Sequence, residues 1–254
     1  MKEDLLNNDI VKKYVQTVID WKTLIQNEKL SIDFLRKYKD DIDWKLVCQY
    51  QQLDESTILE FSDKVSWKVI SAYQNLSEKF IEDNQKKISW TFVSQCQKLS
   101  EKFIIKYQDK VDWGYISLCQ ELSESFIREF QDKVCWANIS SKQKLSESFI
   151  REFQDKVCWV NISSKQKLSE DFIAEFKKKV DWYCISAYQK LSEDFIRKYR
   201  NYVNWMCIWR NQELSEDFIE DFQNRAQWDY ISQYQKLSEK FIIKYQDKVN
   251  WENI

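Results

Sequence analysis

Three sets of residues in this 254-residue chain carry side chains that could do chemistry. Seven cysteines (Cys48, Cys96, Cys119, Cys135, Cys158, Cys184 and Cys207) offer thiolates for a metal or a redox pair. Metal sites, however, want ligands grouped closely, commonly as C-x2-C, whereas Cys96/Cys119, Cys135/Cys158 and Cys184/Cys207 are each 23 residues apart. Equivalent atoms on stacked helices would lie near the helix spacing, beyond the roughly 7 Å Cα limit for a disulfide. Core or cap filler is the expected role. A column of nine glutamates (Glu55, Glu78, Glu101, Glu124, Glu147, Glu170, Glu193, Glu216 and Glu239) offers acid/base groups. A glycosidase needs two differently tuned carboxylates around one cleft, and a periodic row at helix starts suits the dipole instead. The chain has no His and a single Gly, Gly114, which removes imidazole bases, serine triads and glycine phosphate loops. No enzyme activity, metal or cofactor is expected.

The third set is basic. Lys64, Lys87, Lys110, Lys133, Lys156 and Lys179 hold one position, which Tyr202 interrupts before Arg225 and Lys248. Such a ladder makes these six lysines candidate phosphate contacts for RNA or DNA. Against it, Asp63, Asp109, Asp132, Asp155 and Asp247 immediately precede five of the column's residues, and a cation near a helix C-terminus pairs with the dipole without any ligand. The net charge of −2 gives no global attraction to nucleic acid or an anionic membrane. The longest apolar run is Trp205 to Trp209, too short to span a bilayer. Met1 to Ile10 shows neither a basic start nor an apolar core, so no secretion signal and a cytoplasmic setting with reduced thiols are expected.

What must position these columns is a repeat. Trp stands at 21, 44, 67, 90, 113, 136, 159, 182, 205, 228 and 251, always 23 residues apart, and only Trp209 falls outside the series. Repeats Glu121–Gln143 and Lys144–Gln166 differ at two positions. Each repeat reads as two short capped helices, and the eighth shows the logic. Ser169 is an N-cap with Glu170 and Asp171 at the positive end of the dipole, and Leu168 and Ile173 form a hydrophobic staple. Asp181 then caps a second helix whose Trp182, Ile185 and Gln189 share one side. Strands are excluded by the apolar spacing and the lack of turn residues. The prediction is all-α: an α-solenoid of about eleven two-helix repeats, in one elongated domain over 1–254. Residues 1–29 read as a degenerate N-terminal cap repeat, where Asn7, Asn8 and Val11 replace Leu, Ser and Phe, and 30–254 as regular repeats.

L-S-x-x-F-I followed by W-x-x-I-S and a closing Gln resembles a 23-residue helical repeat of proteins from giant viruses, AT-rich bacteria and their mobile elements. The likeness covers Leu30 to Ile254 and departs mainly in repeats 1, 3, 4 and 9. It implies a helical scaffold in a viral or phage setting, in the host cytoplasm if viral. For a phage, it suggests a counter-defence inhibitor of the anti-CRISPR type that masks a nuclease complex.

Repeating columns serve stacking, and columns that change are free to recognise something. The closing Gln (Gln51 through Gln235) is expected to form a buried amide ladder to neighbouring loops. The outer positions of the second helix vary: Leu46/Tyr50, Val69/Tyr73, Phe92/Cys96, Tyr115/Cys119, Asn138/Lys142 and Asn161/Lys165, then Tyr183, Tyr188, Tyr230 and Tyr234. Repeat 9 adds Arg197, Lys198, Arg200, Tyr202, Trp209 and Arg210. Tyrosine and arginine are enriched in interfaces. The candidate partner-binding residues are therefore Tyr50, Tyr73, Phe92, Tyr115, Tyr188, Tyr202, Trp209, Arg210, Tyr230 and Tyr234. The expected activity is non-enzymatic binding of another macromolecule, a protein first and nucleic acid second. The last residue of the sequence, Ile254, falls within an expected second helix, whose bare apolar face is either a contact for self-association or a frayed end.

Overall fold

The structure is a computed structural model that describes residues 21–254, so most of the expected N-terminal cap repeat lies outside the described residues. Among the described residues there are twenty α-helices, one 3-10 turn (Gln223–Arg225) and no strand. The architecture is the all-α repeat solenoid that the 23-residue period predicts.

The chain forms two compact units, which divide after Glu121. The first holds α1 (Trp21–Asn27), α2 (Ile32–Lys37), α3 (Trp44–Tyr50), α4 (Glu55–Glu60), α5 (Trp67–Tyr73), α6 (Glu78–Asp83), α7 (Trp90–Cys96), α8 (Glu101–Lys106) and α9 (Trp113–Cys119). The second holds α10 (Glu124–Glu129), α11 (Trp136–Lys142), α12 (Glu147–Glu152), α13 (Trp159–Lys165), α14 (Glu170–Glu175), α15 (Trp182–Tyr188), α16 (Glu193–Lys198), α17 (Trp205–Asn211), α18 (Glu216–Asp221), α19 (Trp228–Tyr234) and α20 (Glu239–Lys244). Even numbers are first helices of a repeat, odd numbers second helices. Within each unit, the second helices of successive repeats pack directly on one another.

Helices this short form because their ends are capped and their neighbours supply the buried surface. At each first helix the N-cap side chain accepts the N–H of the third helical residue, as Ser169 does from Phe172 at 3.2 Å. At second helices the cap varies. Asp181 accepts from Cys184 N–H at 2.7 Å, whereas Cys135 and Cys158 occupy the cap position and make no side-chain capping bond. The core runs through the Ile of each helix. Ile162, Ile173, Ile185 and Ile196 are all fully buried.

The tryptophans wedge the repeats together. Trp159 packs on Phe172 and Phe176 of the following repeat, with ring centroids at 6.2 and 5.0 Å, and its indole N–H donates to the carbonyl of Gln154 five residues back. Trp90 and Trp136 repeat this arrangement. Departures have local consequences. Thr57 replaces a Phe, so Trp44 rests on Phe61 instead, at 4.4 Å. Asn84 replaces an aromatic and returns its side-chain amide to the carbonyl of Phe80.

Candidate interaction surface

Within each unit the junctions between repeats are held by recurring polar bonds, and these identify which residues the frame consumes. The amide of Gln166 donates to the carbonyls of Ser140 and Gln143 and accepts the N–H of Leu145, so one side chain clips three backbone groups of the preceding repeat. Gln51, Gln74, Gln97, Gln189 and Gln212 make the same three bonds. The expected amide ladder is present. A second polar column went unread in the sequence: the buried Ser after the core Ile. Ser140 Oγ donates to the carbonyl of Trp136 and accepts the N–H of Cys158 in the next repeat. The glutamate column has a structural role too. Glu147 and Glu170 each accept the backbone N–H of the next repeat's capping serine, at 2.6 Å.

The lysine column is also engaged. Lys64, Lys156 and Lys179 pair with Asp40, Asp132 and Asp155 of the preceding repeat. Lys87, Lys110 and Lys156 lie over the rings of Trp67, Trp90 and Trp136, and Lys110 also meets Gln85. Lys133 has partners as well. Tyr202, which interrupts this column, substitutes a ring for the cation: it packs on Trp182 at 5.2 Å and on Tyr199 at 6.1 Å. It therefore joins the wedge while remaining exposed.

Of the expected partner-binding residues, Tyr50, Tyr73, Tyr188 and Tyr234 are exposed at the last position of α3, α5, α15 and α19. Phe92, Tyr115 and Tyr230 are half-buried. Lys68 lies over the Phe92 ring, Tyr230 stacks on Tyr234 at 6.2 Å, and Arg210 lies over Tyr234 at 5.5 Å. Trp209 requires correction. It has no exposed surface, packs against Trp205 and Phe218, and donates its indole N–H to the carbonyl of Arg225 at 3.0 Å. A ring sealed in the core cannot anchor a partner.

All seven cysteines are free thiols. Burial pushes Cys48 and Cys184 up to about 11, with Asp181 adding to the rise at Cys184, so both stay protonated. Among the described residues no group of three or more His, Cys, Asp or Glu side chains could hold a metal. No helix of the described residues is long and apolar enough to cross a membrane. At the C-terminal repeat Ile243, Trp251 and Ile254 are exposed.

The fold and its junction chemistry define a tandem-repeat α-solenoid whose second-helix edge varies more freely than its frame. Comparison with protein-family models, curated proteins and solved structures finds no match to this chain.

Proposed function

We propose that this chain is a non-enzymatic repeat scaffold that holds another protein along the edge formed by the last residues of its second helices. One observation supports this reading. The Trp, Ser, Gln, Glu and Lys columns are occupied by contacts between repeats, whereas Tyr50, Tyr73 and Tyr188 stand in solvent with no stacking role. Repeat packing does not require a tyrosine there, since Cys96, Cys119 and Asn211 fill the same position. Rigid amphipathic rings offer contact area at low entropic cost, the property that enriches them in binding surfaces. The phosphate-ladder reading lacks comparable support, because its lysines already neutralise aspartates and cover indole rings. In a phage setting the scaffold would act by masking a nuclease complex. Seven free thiols suit a reducing compartment, the cytoplasm.

The test places a photo-crosslinking residue at Tyr73 or Tyr188, with a control at the exposed Asp132 in the lysine-column turn. Protein adducts specific to the tyrosine positions, lost in a Tyr50/Tyr73/Tyr188/Tyr234→Ser variant that folds normally, are the expected result. The same adducts from Asp132, or unchanged adducts in the variant, would remove this edge as the binding surface.

A further inference from the structure

Among the described residues, grooves lie between the ends of successive second helices, three of them at equivalent positions. They are of similar size (≈ 440, 330 and 370 Å³) but differ in charge. The groove beside α7 and α9 sets Lys98 against Glu101 and Glu121, with Cys96 and Cys119. The groove beside α15 and α17 sets Lys190 against Glu213. The groove between α13 and α15 is lined by Lys165, Lys167 and Lys190 with Tyr188, and holds no carboxylate. One repeat earlier, Lys142 and Lys144 stand at the positions of Lys165 and Lys167. All five lysines are exposed, and among the described residues none of them takes part in an ion pair, unlike Lys156 and Lys179 on the same repeats.

The frame does not require this charge. Other repeats end the second helix with Tyr50, Tyr73, Cys96, Cys119, Tyr188 or Tyr234, so dipole pairing is dispensable at this position. The following loop position is Gln52, Asn75, Glu121 or Glu213 in four other repeats and Lys98 or Lys236 in two, so a lysine there is tolerated without being required. The nearest acidic column is also committed. Glu147, Glu170 and Glu193 are bonded to Ser169, Ser192 and Ser215 of the following repeats. Unpaired like charges held side by side repel one another, and an anionic occupant relieves that repulsion.

We infer that the edge from repeat 6 to the start of repeat 9, Lys142, Lys144, Lys165, Lys167 and Lys190, takes an acidic peptide segment of the partner. This deepens the protein-binding reading and rests on it. A peptide fits better than a single nucleic-acid strand. Strand binding relies on aromatic platforms for successive bases, and α11 and α13 present Asn138, Lys142, Asn161 and Lys165 where other repeats carry rings. The run is also bounded, since the groove one repeat further on contains Glu213. A short acidic segment matches that length, whereas a longer polyanion would run onto the carboxylate.

The experiment measures anisotropy of a labelled decaglutamate peptide with the full chain at low salt. Controls are a Lys142/Lys144/Lys165/Lys167/Lys190→Gln variant and a Tyr50/Tyr73→Ser variant. Five exposed charge contacts, each worth a factor of about two, multiply to about thirtyfold weaker binding in the Gln variant. Among the described residues these lysines form no ion pair, so that variant is expected to fold, with an unchanged circular dichroism melt. The Tyr50/Tyr73→Ser variant should bind the peptide like wild type. Loss of its crosslinks to partner would then report on the tyrosine edge separately. Absent peptide binding, equal binding by the Gln variant, or tighter binding of polyuridylate than of the peptide would overturn the assignment.

Discussion

Where repeat 7 meets repeat 8, Ser163 accepts the N–H of Asp181, Asp181 caps α15, and Val180 fills the turn. Where repeat 9 meets repeat 10, Trp209 stands in the serine position and cannot accept that bond. The next repeat changes with it. Ala226 replaces the turn Val, Gln227 replaces the capping residue without a side-chain bond, and the turn tightens into the 3-10 segment Gln223–Arg225. Trp209 takes the vacated volume and ties itself to Arg225 through its indole N–H. At this junction a frame position changes together with its neighbours in the next repeat, whereas the edge changes from Tyr73 to Cys96 between repeats whose Gln74 and Gln97 make the same bonds.

The largest expected effect comes from reversing the irregular junction. Trp209→Ser should destabilise the chain by about 4 kcal/mol, through the cavity left by a fully buried ring. Ala226→Val alone should cost about 1–3 kcal/mol by overpacking. Combined, the two should recover more than about 1 kcal/mol relative to their sum, as a double-mutant cycle in urea would measure. Simple additivity would mean that Ala226 is not the compensation.

At a regular junction the corresponding probe is Gln166→Leu. It strips partners from the Ser140 and Gln143 carbonyls and the Leu145 N–H at once. A loss of about 3 kcal/mol is expected, with faster hydrogen exchange at Leu145. Ser163→Ala leaves one N–H, that of Asp181, unpaired and should cost about half as much, roughly 1.5 kcal/mol. If the serine change proved the more damaging, the amide ladder would not be the principal polar tie between repeats.

Sequence pattern revealed what acts within a repeat and missed much of what acts between repeats. The caps at Ser169 and Asp181, the staple of Leu168 and Ile173, and the inward side of Gln189 follow from spacings of three, four and seven, which helix geometry converts directly into contacts. The bond from Cys158 N–H to Ser140, or the placing of Lys156 over Trp136, joins residues 18 and 20 apart. Such contacts depend on the rise and rotation between repeats, which no intrahelical period encodes. Trp209 was misassigned for the same reason. An aromatic beside Arg210 looks like a surface anchor until Ala226 and Gln227, both departures in the following repeat, are considered with it. In the sequence only Lys142 and Lys165 stood out, as a change of residue type, because pairing between repeats separates these lysines from Lys156 and Lys179.

The thiols test how far the frame excludes solvent. An alkylating reagent should label Cys96 and Cys119 first, since both are exposed, and Cys48 last, since it is fully buried. The folded state raises the Cys48 and Cys184 thiols above their ordinary 9.0, so it disfavours their thiolates. Stability from this source is complete below pH 9.0 and is lost as pH rises toward about 11, because the unfolded chain deprotonates first. A Cys48→Ala variant should show a shallower alkaline decline than wild type in thermal melts from neutral pH upward. An identical decline would mean that solvent reaches the thiol in the folded state.

The smallest effect belongs to the exposed ion pairs between first helices. At these positions charge is matched in either sense: Arg128 with Glu152 and Arg197 with Asp221, but Glu82 with Lys106 and Glu220 with Lys244. The frame therefore asks for opposite charge without fixing which helix carries which sign. Arg128→Glu alone should lower the melting temperature slightly by facing Glu152, and Arg128→Glu with Glu152→Arg should restore it. The Arg128 guanidinium holds the Glu152 carboxyl below its usual range, so the pair contributes above that range and fades as pH falls through it. Salt should mute the difference between single and double variants, because both side chains are exposed. A single-variant loss as large as that of Ser163→Ala, persisting in high salt, would place these pairs in the frame and erase the distinction between frame and surface at the first helices.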